Sequence, residues 1–128
     1  MHELRVLVVE SDGYEVAGLT GHLRELGVEH VQVVPEREAP VMERLPGLAD
    51  VVFCGLDGGD SAATHILRRI ADQPQPAAVV IYGPLEDPAH AETVCRRLGL
   101  RYLGHLPLPL QHERLRRLVR HVRTAICR

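Results

Sequence analysis

Lysine is absent from this chain: all 15 basic residues are arginines. Any mechanism that needs an ammonium side chain is therefore excluded, including a phosphate-binding GxxxxGK loop. Aromatic residues are also scarce, three tyrosines and one phenylalanine with no tryptophan. With a pI of 6.4 the chain lacks the broad basic surface and stacking platforms of a nucleic-acid binder. No apolar run approaches the roughly 20 residues that cross a bilayer, and MHELRVLVVE lacks the charged-then-apolar layout of a signal peptide. A cytoplasmic protein with no membrane partner is expected. The three cysteines, Cys54, Cys95 and Cys127, have no CxxC spacing and lie in or beside apolar patterns. They read as small core residues, neither disulfides nor ligands.

Catalytic motifs are missing too. There is no GxGxxG fingerprint and no nucleophile-elbow context for serine. Eight histidines are many for this length, yet none forms an HxxxH pair or a cysteine/histidine cluster, so neither zinc nor any other metal site is expected. Gly58-Gly59-Asp60 matches the GGD of diguanylate cyclases, but Ser61-Ala62 follows in place of Glu-Phe and a helix begins there. No catalytic residue emerges, and the chain does not read as an enzyme.

What is present is a regular alternation. With 128 residues, 45% hydrophobic and 25% charged, the chain suits one soluble domain spanning 1–128. Short β-branched or apolar runs predict strands over 4–9, 31–34, 50–56, 77–82 and 101–106. Helical spacing predicts helices from Tyr14 to Leu26, Glu36 to Leu45, Ser61 to Ala71, Pro88 to Leu98 and His112 to Ile126. Gly27 and Gly99 stop two of these, and Pro88 suits a first helical position. Alternation with short loops implies right-handed crossovers and a parallel sheet covered on both faces. The flavodoxin-like doubly wound order 2-1-3-4-5 fits, with its crevice at the carboxyl ends of the first and third strands, where Glu10 and Gly55 stand.

The stretch 50–60, DVVFCGLDGGD, is the most informative. A buried strand opens onto a loop of glycine and aspartate, and a carboxylate is expected at the strand's end, where Gly55 has no side chain. Together with RVLVVESD and LGHLPLPL, this stretch resembles the response-regulator receiver domain over essentially the whole chain. The run LGLRYLGHLPLPLQHERLRRLV is similar to receivers that precede Glu-Ala-Leu (EAL) cyclic-di-GMP phosphodiesterase domains.

The resemblance implies phosphorylation of an aspartate, with two acids and the acceptor holding Mg²⁺ while a hydroxyl and a lysine bind the phosphoryl oxygens. Glu10 keeps the first acid. The second falls on Ser11, the acceptor on Gly55, the hydroxyl on Tyr82 and the lysine on Leu108, with Pro109 keeping the turn. The chain is thus a degenerate, or pseudo-, receiver by this resemblance, with phosphorylation expected to be absent. Glu10, Asp12 and Asp57 could still line one acidic crevice and hold Mg²⁺ weakly; alternatively Asp12 caps a helix and Asp57 is a turn residue. No other cofactor is expected.

Two features remain open. Tyr82 either fills the empty phosphate pocket, freezing the family's switch, whose aromatic position falls on His105, or is a strand-end tyrosine with its hydroxyl in water. The last helix carries Arg114, Arg116, Arg117, Arg120 and Arg123. Residues 101–128 hold seven arginines against the single acid Glu113, while 1–100 hold eight against sixteen acids. This stripe is either solvated or meets an acidic patch on a partner or a second copy. Receivers dimerise through the face that here spans the helix at 88–98, the strand at 101–106 and the helix at 112–126. The expected role is a phosphorylation-independent regulatory or interaction module in bacterial two-component or cyclic-di-GMP signalling, with a protein partner or a fused effector domain such as EAL. The alternatives are a receiver phosphorylated at Asp57 or Asp12, and a small-ligand sensor that uses the vacated crevice.

Overall fold

The computed structural model describes residues 3–10, 17–35, 49–55, 61–74, 76–83, 88–107 and 110–126. Its elements are β1 (Arg5–Glu10), α1 (Ala17–Glu25), β2 (His30–Pro35), β3 (Val51–Gly55), α2 (Ser61–Ala71), β4 (Ala78–Tyr82), α3 (Pro88–Arg97), β5 (Tyr102–Leu106) and α4 (His112–Ile126). The five strands form one sheet in the order β2-β1-β3-β4-β5, and every neighbouring pair is parallel. This is the flavodoxin-like order expected from the sequence. Four helices stand among the described residues; the helix expected over 36–45 lies outside them, as do residues 14–16 of the first.

The strands form because their residues are buried on both faces, as a parallel sheet requires. Alternation sends Leu7, Val9, Val52, Cys54, Val79 and Ile81 to one face, where Ile66, Leu67 and Ile70 of α2 and Ala91 and Cys95 of α3 cover them. Val6, Val8, Val51, Phe53, Val80 and Tyr82 face the other way, under Leu19 and Leu23 of α1 and Leu115, Val119 and Val122 of α4. Each large aliphatic side chain fully buried in these layers contributes about 1.5–3 kcal/mol. Cys54 and Cys95 are free thiols within the core, as read from the sequence.

Helix α1 ends where Gly27 was expected to stop it. Val28 N–H donates to the Leu23 carbonyl and Gly27 N–H to that of Arg24, with Gly27 at φ 89°, the left-handed closure that favours glycine. The same pair of bonds closes α3, from Leu100 to Cys95 and from Gly99 to Arg96.

Candidate functional site

The strands place the candidate residues along the carboxyl edge of the sheet. Glu10 is the last residue of β1, Gly55 of β3 and Tyr82 of β4. Gly55 and Tyr82 are register partners, and Cys54 of β3 stands opposite Val9 of β1. Since Phe53 belongs to the face covered by α1 and α4, alternation puts Gly55 on that face as well, and Tyr82 packs there.

Tyr82 is 1% exposed, and its hydroxyl donates to the Val9 carbonyl at 2.5 Å. Strand β3 lies between β4 and β1, so the tyrosine must cross the end of β3 to make this bond. Its register partner there is Gly55, which carries no side chain. The reading of Tyr82 as a strand-end tyrosine with its hydroxyl in water is therefore corrected. The ring is core and its polar tip is satisfied by backbone, as a buried phenol requires.

His105 of β5 is half-buried. Its Nε2 lies 3.0 Å from the Gly83 carbonyl, which only accepts, so Nε2 carries the proton. Gly83 N–H in turn donates to the Leu106 carbonyl at 3.1 Å. Tyr82 and His105 are thus both tied to backbone: Tyr82 towards β1, His105 to the residue that follows β4.

Glu10 is exposed at the end of β1. Ser11, Asp12, Asp57 and Leu108 lie outside the described residues. Among the described residues of this crevice, Glu10 is the sole carboxylate at the ends of β1, β3 and β4, and the Val9 carbonyl is already engaged by Tyr82.

The arginines of α4 differ in what they touch. Glu113 accepts from Arg116 Nε at 3.0 Å and Nη2 at 2.6 Å, and Arg117 Nε is 3.5 Å from it. The hydrogen bond from Arg116, then its charge and that of Arg117, hold the Glu113 carboxyl below its ordinary range. Arg123 Nη2 donates to the Leu26 carbonyl at 3.1 Å and so ties α4 to the end of α1. At about 100° per residue, Arg116 and Arg123 share the flank that carries His112 and faces α1. Leu118, which packs on Gly104 of β5, marks the opposite flank, and of the five arginines Arg114 lies nearest to it.

Sequence reasoning missed two clusters, Glu3 with Glu29 and His30, and one that joins two helices. His22 of α1 and His112 of α4 bring their Nδ1 atoms to 3.1 Å, and Glu25 Oε2 is 3.3 Å from His22 Nδ1. His22 and Glu25 stand three apart on one helix face, a visible signal; the partner 90 residues away was not.

No protein-family model matches the sequence, and none of the curated proteins matches it significantly. Solved structures do match. A response regulator from Colwellia psychrerythraea superposes with a TM-score of 0.76 at 18% identity, over 96% of this chain and 99% of that one. A chemotaxis protein from Vibrio cholerae gives 0.73 at 17%, over 94% and 99%. The signal receiver domain of a modulated diguanylate cyclase from Desulfovibrio desulfuricans gives 0.64 at 20%, over 95% and 94%. At these identities the likeness is one of architecture, and the architecture is that of response-regulator receiver domains.

Proposed function

We propose that this chain is a pseudo-receiver: a receiver scaffold that works as a regulatory or protein-interaction module without being phosphorylated, and that is not an enzyme. One observation carries the reading. The buried Tyr82 crosses the end of β3, where its register partner is Gly55, to bond the Val9 carbonyl; the resemblance sets that glycine at the receivers' acceptor position. Phosphoryl transfer needs a nucleophile and fixed positive charge around the developing oxygens. Gly55 offers no nucleophile, and the chain has no lysine. The burial of the Tyr82 ring and its engaged hydroxyl also argue against the crevice as a small-ligand site.

The context we assign is bacterial two-component or cyclic-di-GMP signalling, with a protein partner or a fused effector domain. The run from 98 to 119 resembles receivers that precede EAL domains, and the likeness in fold to the receiver of a diguanylate cyclase supports the same setting. A homodimer through α3, β5 and α4 would use the flank of α4 with Arg114 and Leu118.

The test is incubation with acetyl phosphate, or beryllofluoride, and Mg²⁺, followed by intact mass and chemical-shift mapping. No phosphoryl mass gain and no shift at Glu10, Gly55 or Tyr82 is expected. A stable adduct at Asp57 or Asp12 would replace this reading with that of a receiver using an unorthodox acceptor.

A further inference from the structure

We propose that His22, Glu25 and His112 form a binding site for a divalent transition metal of the zinc type, which clamps α1 to α4. His22 and Glu25 project from one face of α1, and His112 is the first residue of α4. The three ligand atoms, two imidazole Nδ1 and one carboxylate oxygen, all lie within 4.8 Å of one another. This two-histidine, one-carboxylate set suits zinc and its neighbours, whereas Mg²⁺ prefers oxygen alone.

The distances argue for a shared cation. A tetrahedral centre with bonds of about 2.0–2.1 Å has ligand-to-ligand edges of roughly 3.3–3.4 Å. The His22–His112 separation is 3.1 Å and the His22–Glu25 separation 3.3 Å. The third edge closes by rotation of Glu25, whose side chain is 68% exposed.

A proton fits the cluster less well. His22 Nδ1 presents either one hydrogen or one lone pair, yet it has two neighbours at hydrogen-bonding distance. If it donates to Glu25, its single hydrogen must be split to serve His112 as well. If it accepts from His112, its lone pair faces the carboxylate. A metal ion accepts from all three atoms at once. The rings meet edge-on at 61°, so both can turn an in-plane lone pair to one point. All three side chains are at least partly exposed, so a fourth position is open to water or to a ligand from a partner.

The experiment uses the full chain, free of any affinity tag and stripped with EDTA, titrated with ZnCl₂ by calorimetry and followed by thermal unfolding. One equivalent of zinc per chain and a rise of several degrees in Tm are expected, because an ion that binds only the folded state stabilises it. MgCl₂ should give neither. His22→Gln and His112→Gln should each weaken zinc binding by at least about tenfold, while His121→Gln, on another side of α4, should bind as the parent does. The metal-free Tm of each variant establishes that it folds, and Co²⁺ should give the visible spectrum of a tetrahedral site in the parent and in His121→Gln but not in the His22 or His112 variants. Absence of stoichiometric zinc binding, or its full retention in the folded double variant His22→Gln/His112→Gln, would overturn the proposal.

Discussion

The hydroxyl of Tyr82 donates to the carbonyl of Val9, 73 positions earlier and two strands away. The bond ties β4 to β1 across the end of β3, where Gly55 is the register partner of Tyr82. A side chain at 55 and the ring of Tyr82 would therefore compete for the same space at the end of β3. Tyr82→Phe keeps the ring and strips the buried carbonyl of its donor, at an expected cost of about 1–3 kcal/mol in urea unfolding. Tyr82→Thr also empties the space of the ring, and about 3–5 kcal/mol is expected. Equal stability of Tyr82→Phe and the parent would remove the hydrogen bond from the argument.

The coupling between positions 55 and 82 is measurable. A carboxylate at 55 projects from the face that the tyrosine crosses, so Gly55→Asp should destabilise strongly on its own. In Gly55→Asp/Tyr82→Thr the clash is gone, and the double variant should be more stable than the sum of the single effects by about 1 kcal/mol or more. Strict additivity would show that the ring does not lie in the path. Neither variant should take up phosphate from acetyl phosphate, since no lysine has been restored.

Much of this architecture was legible in the sequence because parallel strands are short apolar runs and helices carry their own stop signals. Ser61–Ala71 and His112–Ile126 match the expected helices at both ends, since Asp60 or Ser61 and the apolar spacing of Leu115, Leu118, Val119 and Val122 are local signals. The strand over 31–34 gained His30 and Pro35 because pairing with Arg5 and Glu10 of β1, a long-range contact, sets its ends. At the site, the places of Glu10, Gly55 and Tyr82 near their strand ends were legible. The fate of the Tyr82 hydroxyl was not, because the acceptor is a backbone carbonyl of another strand and leaves no mark on side-chain pattern. The convergence of His22 with His112 was hidden for the same reason: helix packing, not spacing along the chain, brings them together.

Gly104 tests how tightly β5 is held. It sits at φ 150°, beside an irregularity in the β4–β5 register, and a Cβ there would come 3.2 Å from Leu118 Cδ1. Gly104→Ala should cost about 1–3 kcal/mol, measured by denaturant unfolding. Part of that cost is backbone strain, so Gly104→Ala/Leu118→Ala should not recover it. Full relief in the double variant would assign the whole effect to the side-chain contact.

Burial in the α2–α3 layer pushes the Cys95 thiol up to about 11 from 9.0, so at neutral pH it stays protonated and inert. Native protein should leave Cys95 unalkylated until it unfolds. The sign for stability follows from linkage: between pH 9 and 11 the unfolded chain releases this proton and the folded chain keeps it, so stability falls as pH rises through that window. Tyr102, also raised by burial and then by Cys95, adds to the fall. Cys95→Ala should flatten the decline of Tm above about pH 9; an unchanged slope would place the alkaline loss elsewhere.

The arginines of the last helix separate structural from recognition roles. After α1 closes on Gly27, the Leu26 carbonyl is taken by Arg123, a cation at a helix carboxyl end, where charge is favourable. Arg123→Gln should therefore lower stability by roughly 0.5–1 kcal/mol. Arg120 lies on the outward side of the same helix, so Arg120→Gln should leave urea unfolding unchanged. A partner that reads the basic surface should discriminate in the opposite sense, losing affinity with Arg120→Gln and Arg114→Gln more than with Arg123→Gln. If Arg123→Gln is neutral for folding and most damaging for binding, the tether to α1 is incidental and the α1 flank of α4 is the recognition face.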